Sequence, residues 1–300
     1  MNEIGALPLT LSKMHRTFST LDPRPSTLDP RPSTHPAMNS YYGQTVLVTG
    51  ASSGIGEAMA RQLAFQQARL LLTARSEDKL NALADEFRRA GAEVDVLAHD
   101  LGEAGATQTL YDRITEAGHE VDVLINNAGF GYVGAFAQQD AASVEGMATL
   151  NMTNLTVLTR LFLPAMLARG RGGVLNVAST ASYQPIPLMS VYAATKAYVR
   201  SFSEALAAEV GGTGVAVTCL CPGPTATAFA DEAGMNEKFF RVAETPEKVA
   251  AVGLDALLRG KRTIVSGLPN KVGAVASRFI PTGPALAVTR RIIETQAMDH

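Results

Sequence analysis

The chain has 300 residues, 46% of them apolar and 18% charged, with a formal net charge of −2. That composition excludes wholesale disorder and shows no basic surplus for nucleic acid or for an anionic membrane surface. Its apolar runs are broken by Gly, Pro or charge short of the ~20 residues that a spanning helix needs, so a soluble, cytoplasmic protein with no integral membrane segment is expected.

The chain opens on a stretch unlike the rest. Ser-Thr-Leu-Asp-Pro-Arg-Pro occupies residues 19–25 and recurs unchanged at 26–32. Prolines at alternate positions favour an extended arm without a core, so residues 1–40 are expected to be a disordered N-terminal segment. Met38 stands just before the first strand, which suggests that the working protein begins there.

From residue 45 strands and helices alternate. Apolar strands are expected at 45–48, 70–73, 94–98, 121–125, 174–177, 215–220 and 263–265. Amphipathic helices are expected at 55–66, 77–90, 104–117, 141–168, 191–210 and 246–259. Continuous apolar strands separated by helices predict an α/β fold, a doubly wound seven-stranded parallel sheet covered on both faces. A single folded domain is placed at 41–267, with residues 268–300 as a helical extension packed on it.

The first strand runs into Thr49-Gly50-Ala51-Ser52-Ser53-Gly54-Ile55-Gly56. Glycines at 50, 54 and 56 let backbone approach a phosphate, and the following helix directs free N–H groups and its positive dipole end at the anion. Strand before and helix after are the context that such a turn requires. In a dinucleotide site an acid about 20 residues further on usually holds the ribose 2′-hydroxyl. Here that position falls near Ala74 and is followed by Arg75, whose guanidinium matches a 2′-phosphate. NADP(H) is therefore favoured, with NAD(H) possible.

His99-Asp100-Leu101 and Asn126-Asn127-Ala128-Gly129 end the third and fourth strands, where ligands of open α/β sheets bind. Ser179 follows the fifth strand, and 13 residues later comes Tyr192-Ala-Ala-Thr-Lys196 at the start of a helix. Tyr192 and Lys196 share a helical face. An ammonium near a phenol lowers a pKa that starts near ~10, which suits proton exchange with an alcohol or ketone oxygen. Cys221-Pro222-Gly223-Pro224-Thr225-Ala226-Thr227 forms a rigid turn after the sixth strand. The two cysteines, 219 and 221, are expected as buried thiols in a reducing compartment, and no metal site is expected.

With the glycine turn, the Asn-Asn-Ala-Gly stretch, Ser179 and Tyr-x-x-x-Lys in this order, the chain resembles the classical short-chain dehydrogenases/reductases over roughly residues 44–266. The resemblance implies that Tyr192 is the general acid/base, that Lys196 lowers its pKa and binds the nicotinamide ribose, and that Ser179 orients a carbonyl. It implies a relay water held by Asn151, an adenine contact from Asp100 and Leu101, and a sheet and ribose brace from Asn126, Asn127, Ala128 and Gly129. Pro222, Gly223, Thr225 and Thr227 are implied holders of the nicotinamide carboxamide. Asn154 stands where the family often has Gly. The same resemblance implies a mobile lid at 228–244, carrying Phe229, Met235, Phe239 and Phe240, and a homodimer or homotetramer.

The expected activity is hydride transfer between NADP(H) and an apolar ketone, aldehyde or secondary alcohol. A catalytically idle NADP-sensing or scaffold protein on the same fold is the alternative. A sugar-nucleotide epimerase would need a larger C-terminal lobe. The apolar residues of 268–300 fit substrate cover, a partner surface, contact with a membrane surface, or simply completion of the fold.

Overall fold

Seven aliphatic runs form the strands of a single parallel sheet in the computed structural model, which describes residues 38–227, 243–277 and 279–296. All of these belong to the unit Ser33–His300. Most of the expected N-terminal arm, and the expected lid apart from residues 243 and 244, lie outside the described residues.

The strands are β1 (Thr45–Thr49), β2 (Arg69–Thr73), β3 (Val94–Val96), β4 (Val123–Asn126), β5 (Gly172–Val177), β6 (Val215–Cys221) and β7 (Thr263–Val265). Their spatial order is β3-β2-β1-β4-β5-β6-β7, and every pairing is parallel. The order reverses between β1 and β4, which opens a crevice beyond their carboxyl ends. The helices among the described residues are α1 (Gly54–Phe65), α2 (Glu77–Arg89), α3 (Ala106–Glu116), α4 (Ala141–Ala148), α5 (Leu155–Arg169), α6 (Ser190–Glu209), α7 (Pro246–Leu258), α8 (Leu268–Ala276) and α9 (Thr282–Gln296).

Strand periodicity of two divides the core. Val46, Val48, Leu70, Leu72, Ile125 and Leu220 face α1, α2 and α7, where Met59, Leu63, Leu80, Phe87 and Leu254 meet them. Leu47, Leu71, Leu124, Val174 and Val217 face the opposite layer, against Leu110, Ile114, Leu158, Phe162 and Leu206. Both faces are thus covered, as continuous apolar strands require.

Two expectations need correction. Residues 121 and 122 are not part of β4. Instead the Asp122 carboxylate accepts from the Thr45 N–H at 3.1 Å, and the Asp122 carbonyl accepts from Gly173 N at 2.9 Å. The expected single helix at 141–168 is α4 and α5 joined by a π-helical turn, Thr149–Asn154. A π turn widens the helix locally and re-aims its side chains. Here it buries Asn151 and Asn154 within an otherwise apolar run.

A buried polar chain crosses the middle of the sheet. Asn126 Nδ2 donates to Thr159 Oγ1 at 3.0 Å and to Asn176 Oδ1 at 2.9 Å. Asn176 Nδ2 donates to Ser203 Oγ at 2.9 Å, and Ser203 Oγ donates to the Val199 carbonyl at 2.7 Å. The chain fixes α5 and α6 against β4 and β5, because each buried polar group needs its partner. Asn176→Ala removes one partner each from Asn126 and Ser203, a loss of about 2 kcal/mol. For a chain of this size that corresponds to a fall of roughly 4–8 °C in Tm by scanning calorimetry. An unchanged Tm would show that the chain does not carry the packing of α6.

Candidate active site

The crevice at the strand reversal is a cavity of about 550 Å³, lined along one side by the turn after β1 and by the ends of β2, β3 and β4. Ser52, Ser53, Gly50, Gly54 and Ile55 form its floor. Gly50 has φ +65°, and a Cβ there would lie 2.9 Å from Asn127 Nδ2 and 3.0 Å from the Ala128 backbone. Asn127 Nδ2 donates to the carbonyls of Thr49 and Gly50, at 3.0 and 3.1 Å. The Asn-Asn-Ala-Gly stretch therefore holds the glycine turn in shape. Gly56 stands behind the wall, since a Cβ there would meet the Gly50 carbonyl at 2.2 Å. It sets how closely α1 packs under the turn, and a ligand in the cavity would not touch it.

One end of the cavity carries charges of both signs, with Asp100 and Glu103 on the loop after β3 and two cations at the start of α2. Arg75 and Lys79 both line it, beside Ala74 and Ser76 at the start of α2. Both are exposed, and no ion pair among the described residues engages either. Lys79 is a site residue that sequence reasoning missed. Its signal was available, since position 79 lies one turn into a helix that starts at the site. Asp100, Leu101 and Gly102 continue this end, with Asp100 Oδ1 accepting from Gly102 N at 2.8 Å.

At the other end Ser179, Tyr192 and Lys196 converge. Ser179 caps a short 3₁₀ turn (Thr180–Tyr183), its Oγ accepting from Ala181 N at 3.1 Å. Ser179 and Tyr192 are hydrogen-bonded. Tyr192 and Lys196 stand on the first turns of α6, both buried, and Lys196 Nζ donates to the Val177 carbonyl at 2.9 Å. Nζ is 5.8 Å from the Tyr192 ring centroid.

The expected depression of the tyrosine pKa is absent here. Burial pushes Tyr192 up to about 12, more than the Ser179 hydrogen bond lowers it. Burial also brings Lys196 down to about 8. Desolvation disfavours the charged form of each, and for Tyr192 the Ser179 hydrogen bond offsets only part of it.

Asn151 is beside this centre but does not line the cavity. Its Nδ2 donates to the Phe130 carbonyl at 2.9 Å and to Thr195 Oγ1 at 3.1 Å, and its Oδ1 accepts from Phe130 N at 3.2 Å. A Cβ on Gly129 would come within 2.7 Å of that oxygen. Asn154, the departure from the family pattern, donates from Nδ2 to the Leu101 carbonyl and so ties α5 to the loop after β3. Ser182 lies buried 3.9 Å from Cys221 Sγ and does not line the cavity. Cys219 and Cys221 are buried free thiols with their sulfurs 3.8 Å apart.

Pro222, Gly223, Thr225 and Thr227 line the wall that follows β6, and a Cβ on Gly54 would sit 3.0 Å from Thr227 Cγ2. The turn after β6 therefore closes on the glycine turn. Phe130, Leu150, Ala181, Ile186, Met189 and Ile293 supply an apolar wall beside Tyr192. Ile293 belongs to α9, so the C-terminal helix completes the cavity.

The family model for short chain dehydrogenases matches residues 44–238. The chain belongs to the short-chain dehydrogenase/reductase family. That family comprises NAD(P)-dependent oxidoreductases acting on carbonyl and CH–OH groups. Among curated relatives, a very-long-chain 3-oxoacyl-CoA reductase of Anas platyrhynchos is 36% identical over 64% of this chain, and the match spans 62% of that relative's length. Among solved structures, a short-chain dehydrogenase from Sphingobium yanoikuyae in complex with NADPH is 32% identical. It covers 79% of this chain and 93% of its own, with a TM-score of 0.72. A family member from Burkholderia phymatum in complex with NAD is 27% identical, covers 79% and 94%, and has a TM-score of 0.71.

The buried lysine has a consequence for stability. Its folded-state pKa, about 8, lies below the ordinary 10.5, so between these values the unfolded chain binds more protons. Stability contributed by this residue therefore rises with pH from about 8 to 10.5 and is lost as pH falls through 8. Lys196→Met should flatten that rise in a comparison of melting temperatures across the range. Parallel curves for the two proteins would contradict the burial argument.

Proposed function

We propose that this short-chain dehydrogenase/reductase is an NADP(H)-dependent oxidoreductase that interconverts an apolar ketone or aldehyde and the matching alcohol, with Tyr192 as the general acid/base. The observation that carries the reading is the convergence of Ser179, Tyr192 and Lys196 at one end of a cavity whose other end holds Arg75 and Lys79.

The cradle fits a dinucleotide. Bare backbone at Gly50 and Gly54, the start of α1 and two unpaired cations would hold the phosphates, and Lys196 would meet the nicotinamide ribose. Asp100 and Leu101 would lie along the adenosine, and Asn127, Ala128, Gly129, Pro222, Gly223, Thr225 and Thr227 along the middle and nicotinamide portions. When bound, the cofactor supplies the hydride. The protein's part is to polarise and to move one proton. Ser179 orients the substrate oxygen, and Tyr192 exchanges a proton with it. Lys196 would hold the ribose hydroxyls beside Tyr192 and lower the phenol pKa through them. Asn151 acts as a positioning residue, holding Phe130 and Thr195 around the site.

The apolar wall from Phe130 to Ile293 supports a hydrophobic substrate, in agreement with a relative named as a 3-oxoacyl-CoA reductase. Reduced thiols at 219 and 221 fit a cytoplasmic protein. Exposed Leu167 on α5 and Tyr198 on α6 offer a face for homo-oligomers.

Steady-state kinetics on a panel of apolar ketones test the reading. Tyr192→Phe should retain NADPH binding and lower kcat by roughly 10²–10⁴-fold, and retained turnover removes Tyr192 from the acid/base role. Arg75→Asp should weaken NADPH by about 10–100-fold while leaving NADH within a few-fold. An unchanged NADPH/NADH preference refutes the assignment of Arg75.

A further inference from the structure

Helix α8 carries its apolar residues on the wrong side for a helix that only completes a core. Leu268 is 75% exposed, Val272 61% and Val275 54%, and Phe279 just beyond the helix is 82% exposed. Within α8, at 100° per residue, Leu268, Val272 and Val275 fall within one narrow arc. The opposite side holds the packed residues. Ala274 is buried, and Asn270 Nδ2 donates to the Ser266 carbonyl at 3.0 Å. Ile280 follows in the same exposed stretch, and α9 adds exposed Val288 and Ile292. Exposed apolar residues concentrated in this way mark a contact face.

Charge indicates what covers it. Residues 256–293 contain seven of the chain's 26 Lys and Arg and none of its 28 Asp and Glu. The net charge of −2 thus hides a basic C-terminal segment in an otherwise acidic chain. Lys271 flanks the apolar arc of α8, and Arg291 stands beside Ile292 on α9. Both are exposed, and neither has an ion pair among the described residues. A second copy of this face would set like charges against each other in a two-fold contact. An anionic bilayer surface satisfies both features, because headgroup phosphates attract the cations while the apolar arc enters the acyl boundary.

We infer that α8, Phe279 and Ile280 beyond it, and the outer side of α9 form a peripheral docking surface for a bilayer containing anionic phospholipid. The surface is laid on the membrane, since no helix among the described residues is long and apolar enough to cross one. Ile293, on the inner side of α9, lines the cavity, so one helix joins the lipid-facing surface to the site. Docking itself requires neither cofactor nor substrate and stands apart from the proposed chemistry.

Cosedimentation of the full chain with extruded vesicles tests this without any activity readout. The protein should pellet with vesicles of phosphatidylcholine mixed with phosphatidylserine, weakly with phosphatidylcholine alone, and less as NaCl is raised. The double variant Val272→Glu/Phe279→Glu should lose binding by roughly tenfold or more, with its melting temperature and turnover of a soluble ketone unchanged. Lys271→Glu/Arg291→Glu, a milder surface change, should abolish the phosphatidylserine dependence. Wild-type protein that stays in the supernatant with anionic vesicles overturns the inference, as does undiminished binding by the folded double variant. A wild-type dimer that the double variant converts to monomer, seen by light scattering, also overturns it and assigns the face to a second copy.

Discussion

An ammonium taken out of water loses more hydration than one hydrogen bond returns. Lys196 is nevertheless buried with a single carbonyl partner, Val177, and no carboxylate among the described residues pairs with it. Helix α6 can hold it there only because the rest of the structure fixes that helix. The chain from Asn126 through Asn176 to Ser203 pins α6 to the centre of the sheet, and Leu206 and Val199 pack beneath it. The same burial raises Tyr192 and lowers Lys196, which leaves the pair poised to be retuned by whatever enters the cavity.

Backbone proximity imposes the second constraint. The turns after β1, β4 and β6 approach so closely that Gly50, Gly54 and Gly56 have no room for a side chain. These contacts join strands distant in sequence at the one place where the strand order reverses. Asn127 serves as the clip, its amide spanning the Thr49 and Gly50 carbonyls. The π turn at Thr149–Asn154 adds a further brace, since the widened backbone lets Asn151 reach Phe130 while Asn154 reaches Leu101.

Much of this was legible in the residues. Continuous apolar strands with intervening helices admit few arrangements, and the parallel sheet has the seven strands that were expected. Ser179, Tyr192 and Lys196 were readable because each follows a strand or opens a helix that delivers it to one end of the sheet. The π turn was not legible, because a single inserted residue leaves an apolar run looking like one helix. Lys79 escaped notice because a lysine in a first helical turn looks like ordinary surface. Asn176 was hidden inside an aliphatic strand, and its importance comes from partners on α6, 27 residues away. Ile293 and the outward face of α8 depend on how the C-terminal helices dock, which periodicity alone leaves open. The order of the two pKa shifts depends on burial depth, which a helical spacing of four does not specify.

The central claim is that the cavity is a dinucleotide site in which Arg75 and Lys79 select a 2′-phosphate. Titration of the purified wild-type chain with NADPH and with NADH, followed by nicotinamide fluorescence, addresses it most directly. The account predicts saturable binding of both, with NADPH tighter by about tenfold or more from charge-assisted contacts to Arg75 and Lys79. Equal affinities would contradict the selection, and no binding of either would contradict the site itself.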